Sequence, residues 1–133
     1  MKTRILVVDD EPDFTSLLKL TLESVGYYEV QEENDSTRAV AAAREFGPDL
    51  VILDIMMPEM DGDEVASRLR NDPFLQDVPV LFMTALVSST DTPANDTPCQ
   101  SGGQTFLPKD TPADVLMDCI EQKLHQHRMA VAG

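Results

Sequence analysis

Three short runs built from apolar side chains set the terms for this chain: Ile5-Leu6-Val7-Val8, Leu50-Val51-Ile52-Leu53 and Val80-Leu81-Phe82-Met83. Each stops at a polar residue: Asp9, Asp54 and Thr84 in turn. A run that is apolar at every position has no face to offer water. It reads as a strand buried on both sides, which a parallel sheet covered by helices provides. Tyr28–Glu32 alternates weakly and reads as a strand with one wetter face, and Thr105-Phe106-Leu107 as a brief fifth strand before Pro108-Lys109. Helical spacing fills the intervals. Phe14, Leu17, Leu18, Thr21, Leu22 and Val25 form one stripe, stopped by Gly26. Ala39, Val40, Ala43 and Phe46 form a second, capped by Asp35 or Ser36 and closed by Gly47-Pro48. A short helix around Gly62–Arg70 buries Val65 and Leu69. Thr111-Pro112-Ala113-Asp114 opens the last, with Thr111 as N-cap and Val115, Leu116, Cys119, Ile120 and Leu124 facing inward.

Strands and helices alternating at this spacing predict an α/β fold, a doubly wound five-stranded parallel sheet with right-handed crossovers. Such sheets bind ligands beyond the carboxyl ends of the strands, where the strand order reverses. The residues just past those ends are Asp9-Asp10, Asp54, Thr84 and Lys109. One stretch breaks the alternation. Residues 87–104, where a fourth crossover helix belongs, carry Pro93, Pro98, Gly102 and Gly103 and almost nothing apolar. Proline inside a helix costs about 3 kcal/mol and glycine about 1, so this segment is expected to be irregular and the fourth helix missing.

The chain has 133 residues, which suits a single domain over 1–133. With 24 acidic against 10 basic side chains, its net charge of −14 disfavours direct contact with nucleic acid or an anionic membrane. No apolar run approaches the roughly 20 residues of a membrane span. The two cysteines, Cys99 and Cys119, have no metal-ligand spacing and make no disulfide framework, so a reducing cytoplasm is the expected location. Cys119 reads as a small core side chain and Cys99 as a loop thiol. His125 and His127 read as solvated residues at a helix end.

Three carboxylates converging at the strand ends would repel one another by about 4 kcal/mol per pair at ~4 Å. Such a cluster calls for a counter-charge, and a few hard oxygen ligands with room for water favour Mg²⁺. Taken singly, each residue has an ordinary reading: acids solvating a strand end, Thr84 a β-branched strand terminus, Phe106 a core aromatic, Lys109 a surface lysine. Together they carry more. Ile5-Leu6-Val7-Val8-Asp9-Asp10-Glu11-Pro12, then Pro48-Asp49-Leu50-Val51-Ile52-Leu53-Asp54-Ile55-Met56-Met57-Pro58-Glu59-Met60-Asp61-Gly62, then Thr84-Ala85 and Phe106-Leu107-Pro108-Lys109 resemble the receiver domain of two-component response regulators.

The resemblance implies a flavodoxin-like, CheY-like fold. It implies that Asp54 accepts a phosphoryl group from a histidine kinase or a histidine phosphotransfer protein. It further implies that Asp10, Asp54 and the backbone carbonyl of Met56 bind Mg²⁺, with Asp9 acting mainly through a metal-bound water. Thr84 and Lys109 would contact the phosphoryl oxygens, and Phe106 holds the position of the family's switch aromatic. The chain would then be a phosphoacceptor that signals through a protein surface rather than an enzyme that turns over a separate substrate. A homodimer is compatible with that role, and the downstream target stays open. Two departures stand out. Proline precedes Lys109 and Asp110 follows it, reversing the family order, so Asp110 could compete for the lysine. The missing fourth helix removes part of the family's usual output face, so the first and last helices become candidates for partner contact. Met56 and Leu86, two places after Asp54 and Thr84, are apolar and cannot orient a water for in-line attack, which predicts a long-lived phospho-form. Of the Met56, Met57 and Met60 cluster, core anchoring of the loop is the simplest reading.

Other readings lose ground. A degenerate receiver that binds protein without phosphorylation conflicts with the complete set of Asp9, Asp10, Asp54, Thr84 and Lys109. A magnesium-dependent phosphatase with an aspartyl nucleophile wants an acid two residues on, where Met56 stands. A flavin or nucleotide carrier wants a glycine-rich turn where Asp9-Asp10-Glu11 stands.

Overall fold

The computed structural model describes residues 2–85 and 105–132, with side chains for 2–85 and 106–126. Five strands, β1 (Thr3–Val8), β2 (Tyr28–Glu33), β3 (Leu50–Asp54), β4 (Val80–Thr84) and β5 (Thr105–Pro108), form one sheet in the order β2-β1-β3-β4-β5. All four pairings are parallel. Helices α1 (Pro12–Glu23), α2 (Ala39–Phe46), α3 (Gly62–Arg70) and α4 (Ala113–Ala132) cover it. The expected doubly wound sheet is therefore present. The expected irregularity of residues 87–104, and with it the missing fourth crossover helix, falls outside the described residues.

The period-two geometry of a strand sorts the apolar runs onto two faces. Ile5, Val7, Leu50, Ile52, Leu81, Met83 and Leu107 meet Leu18 and Leu22 of α1 and Leu116, Ile120 and Leu124 of α4. Leu6, Val8, Val51, Leu53 and Phe82 meet Ala39 and Ala43 of α2 and Val65, Ala66 and Leu69 of α3. Each such side chain contributes about 1.5–3 kcal/mol by leaving water, which is why unbroken apolar runs can end in charged residues without unravelling. Cys119 is buried on the first of these faces, as expected, but it is disulfide-bonded, which corrects its reading as a plain core side chain; Cys99 lies outside the described residues.

Three local readings need correction. The first helical stripe is narrower than its spacing suggests: Leu17 is 62% exposed and Val25 also faces solvent, while Thr15 is fully buried. The face that α1 buries runs through Thr15, Leu18 and Leu22, with Phe14 partly covered, and Val25 lies past the last residue of the helix. Asp35 caps a single 3₁₀ turn (Ser36–Arg38), accepting from the Thr37 N–H, and α2 begins only after that turn. Thr111 sits ahead of the helix it was expected to cap; its hydroxyl donates to the Pro108 carbonyl at 2.6 Å, and α4 starts at Ala113. His125 is exposed, as expected; the His127 side chain is outside the described set.

The carboxyl end of β3 is held close to α3 by Gly62. Its N–H donates to the Ile55 carbonyl at 2.8 Å. A Cβ there would collide with the Asp54 carbonyl oxygen and approach Ile55 Cα to 2.9 Å, so only glycine permits this approach. Asp61 then caps α3, accepting from the Glu64 N–H at 3.0 Å. Met57 is buried and Met60 partly so, anchoring the intervening loop as expected, whereas Met56 is exposed.

Candidate functional site

Where the strand order reverses, between β1 and β3, the carboxyl ends open a crevice floored by two buried carboxylates. Asp9 is 1% exposed and Asp54 5%. The turn carrying Asp9 is tied down on three sides. Its N–H donates to the Glu33 carbonyl at 3.1 Å, its carbonyl accepts from Asn34 Nδ2 at 2.8 Å, and its Oδ1 accepts from the Glu11 N–H at 3.0 Å. Asn34 also donates to Thr15 Oγ1 at 3.0 Å, and Thr15 in turn donates to Glu32 at 2.7 Å. That buried hydroxyl explains the polar position on the inner side of α1.

Lys109 enters from the opposite side. The chain leaving β5 is fixed to β4 by the Lys109 N–H donating to the Thr84 carbonyl at 3.0 Å. The ammonium reaches Asp9 Oδ2 and Glu11 Oε1 at 2.7 Å each and Asp54 Oδ2 at 3.4 Å. It also lies over the Phe14 ring, 4.8 Å from its centroid. Asp9 Oδ2 is nonetheless a buried acceptor that no aligned hydrogen bond satisfies: the ammonium beside it supplies charge but not direction.

Charge is costly here. Burial pushes the Asp9 carboxyl up to about 6, against the pull of Lys109 and the Glu11 N–H. Burial also raises Asp54, opposed by the Lys109 charge and by the Met56 N–H. Burial works against the Lys109 ammonium too, but the carboxylates of Asp9 and Glu11 outweigh it and hold the lysine above its ordinary range. Glu11 is lowered by its bond to Lys109. The oxygens of Asp9, Glu11 and Asp54 lie within 4.8 Å of one another. An unsatisfied buried carboxylate oxygen among hard oxygen donors fits a divalent cation of the magnesium type.

Residues 5–121 match the family described as the response regulator receiver domain. The chain belongs to that family. Among relatives of this receiver domain, the DNA-binding dual master transcriptional regulator RpaA of Synechocystis sp. is 45% identical over 83 residues, 62% of this chain and 34% of its own length. The response regulator PleD of Caulobacter vibrioides is 42% identical over 119 residues, 88% of this chain and 24% of its own. This receiver thus spans about a quarter to a third of the length of those relatives. The structure of the Vibrio cholerae chemotaxis protein CheY4 superposes with a TM-score of 0.76 at 25% identity, covering 92% of this chain and 99% of that one.

The residues singled out from the receiver's sequence converge unevenly. Asp9, Asp54 and Lys109 meet, and Thr84 is buried at the end of β4 beside them. Asp10 is partly exposed; its charge is felt at Asp54, and it lines a small separate cavity with Asn34, Ser36 and Pro58. Met56 presents its N–H to Asp54, while its side chain is 62% exposed. Phe106 is 44% exposed and stacks on Phe82, ring centroids 5.0 Å apart and 13° from parallel. Asp110 is exposed, and the acid found on Lys109 from outside the crevice is Glu11. Leu86 lies outside the described residues. Sequence reasoning missed Glu11, Asn34 and Phe14 as parts of the site. The available signal was positional: Glu11 is the third acid past β1, and Asn34 is the polar residue just past β2.

Proposed function

We propose that Asp54 is the phosphoacceptor of this receiver, charged from a phosphohistidine on a histidine kinase or phosphotransfer protein, and that the modified site is read by a protein partner. The observation that carries the proposal is a buried carboxylate, Asp54, facing a lysine ammonium at 3.4 Å and a second buried carboxylate with an unsatisfied oxygen. Asp54 would supply the attacking oxygen: the P–N bond to histidine breaks, the P–O bond to Asp54 forms, and the imidazole keeps the electron pair and takes a proton. Phosphoryl transfer asks for positioning and charge neutralisation, and the Lys109 ammonium provides both for the moving oxygens. Asp9, Asp54 and Asp10 would hold Mg²⁺, with the Met56 carbonyl; when bound, the ion neutralises phosphoryl charge. The chain acts on no substrate beyond its own phosphoryl group, works as one domain over 1–133, and meets its donor in the cytoplasm.

The readout follows from size. New phosphoryl oxygens would draw the Thr84 hydroxyl inward, vacating space beside β4 that Phe106 can enter from its half-exposed position on Phe82. With apolar Met56 two places past Asp54, no side chain there orients water, and the phospho-form should persist for many minutes. Complete loss within a minute in Mg²⁺ buffer would contradict this. The test of the site is borohydride reduction of the chain after treatment with phosphoramidate and Mg²⁺. Reduction of an aspartyl phosphate yields homoserine, and peptide mass should locate it at position 54. Homoserine elsewhere would move the phosphoacceptor.

A further inference from the structure

Glu11 occupies an odd place for an acid so near a phosphoacceptor. It is the N-cap residue of α1, its carbonyl accepting from the N–H groups of Phe14 and Thr15. The short side chains that cap helices turn back onto those amides; glutamate is not one of them. This one makes no capping hydrogen bond. Its side chain, 62% exposed, reaches outward to Lys109 Nζ at 2.7 Å. Its short bond is to an ammonium that also faces Asp54, the nearest one among the described residues.

The distances show what that bond does. The ammonium lies at 2.7 Å from both Asp9 and Glu11 but at 3.4 Å from Asp54. Phe14, one turn into the same helix, holds the ammonium from the side, 4.8 Å from its ring centroid. Glu11 thus holds the ammonium from the α1 side as closely as Asp9 holds it from within, and Asp54 is the most distant of the three carboxylates. We infer that Glu11 is a positioning residue, a latch on Lys109 that must yield before the ammonium can serve the phosphoryl oxygens, so that α1 restrains the rate at which Asp54 is modified. The inference rests on the reading of Asp54 as phosphoacceptor. It adds an acid that acts through the lysine, without touching the phosphoryl group or the metal.

The test compares the full chain with E11Q and D13N. Asp13 is an exposed acid in the first turn of α1, so D13N removes the same charge without touching Lys109. Labelling by acetyl phosphate at saturating Mg²⁺ should be about two- to fivefold faster in E11Q and unchanged in D13N, the scale set by one partly exposed ion pair. The second readout is ¹⁵N NMR of the lysine ammonium groups, with Lys109 assigned from K109R. Its Nζ signal should move in E11Q and stay in D13N. Equal labelling rates in E11Q and the parent, or equal acceleration in E11Q and D13N, would overturn the latch. So would a tenfold or greater loss of Mg²⁺ affinity in E11Q alone, measured by calorimetry, because that would make Glu11 a metal ligand. If no variant takes up phosphoryl, the reading of Asp54 fails instead, and the Lys109 signal alone decides whether Glu11 holds the lysine.

Discussion

The two ends of the sheet handle charge in opposite ways. At the amino end, Arg4 and Asp49 satisfy each other across neighbouring strands: the Arg4 N–H donates to Asp49 Oδ2 at 2.9 Å and the Asp49 N–H to the Arg4 carbonyl at 2.7 Å. The Arg4 guanidinium also bonds the Phe46 carbonyl at 2.9 Å and lies over the Phe46 ring. Arg4 and Asp49 are exposed there, and their bonds are reciprocated. At the carboxyl end, Asp9 and Asp54 are buried, three acids share one ammonium, and Asp9 Oδ2 is left without an aligned donor. A sheet closed only for stability would repeat the first arrangement at both ends. The second concentrates unbalanced charge, which supports the proposed phosphoacceptor site there.

The largest effect expected from disturbing this contrast is at Lys109. Lys109→Met should slow labelling by acetyl phosphate about 100-fold, since the transferring oxygens lose their preorganised positive group. Asp9→Asn should separate stability from function. Because burial raises the folded carboxyl to about 6 from an ordinary value of 3.8, the folded chain binds the proton more tightly than the unfolded chain between those values. Asp9 therefore subtracts stability as pH rises from about 4 to 6, and the loss persists above. In metal-free buffer at pH 7, Asp9→Asn should be more stable to urea by about 1–2 kcal/mol after allowance for screening, while binding Mg²⁺ far more weakly. A destabilised variant would contradict the claim that this end carries surplus charge. At the other end, Asp49→Ala should cost about 1 kcal/mol in urea unfolding and leave the labelling rate unchanged. Smallest is the effect of acid on the Arg44–Asp72 pair, where Arg44 Nε donates to Asp72 at 2.6 Å. Burial would raise Asp72, but the Phe74 N–H and Arg44 outweigh it and hold the carboxyl below its usual range. Its stabilisation is present above pH ~4 and should fade as pH drops further. An Arg44→Ala chain should show a flatter melting-temperature profile below pH 4.

Much of this contrast could be read in the sequence, for a physical reason. A strand buried on both faces must be apolar throughout, so the polar residue that ends it is conspicuous, and Asp9, Asp54 and Thr84 each announce a strand end. Lys109 follows from the same logic after β5. What could not be read depends on angles and reach. Helical spacing puts Leu17 and Val25 in one stripe with Leu18 and Leu22, yet the helix turns its Thr15–Leu18–Leu22 face to the sheet and ends at Glu23, which leaves the first two exposed. The sequence suggested Asp110 as the rival for Lys109, since it is adjacent. The acids found on Lys109 are instead Asp9, Asp54 and Glu11, the last 98 positions away and brought beside the ammonium by the parallel pairing of the strands.

The most direct test of the central claim is the intact mass of the chain after acetyl phosphate, with and without Mg²⁺, beside Asp54→Asn. The parent chain should gain one phosphoryl unit only with Mg²⁺ present, and the gain should vanish in the variant. A gain of the same size in Asp54→Asn, or none in the parent chain with Mg²⁺ present, would contradict it.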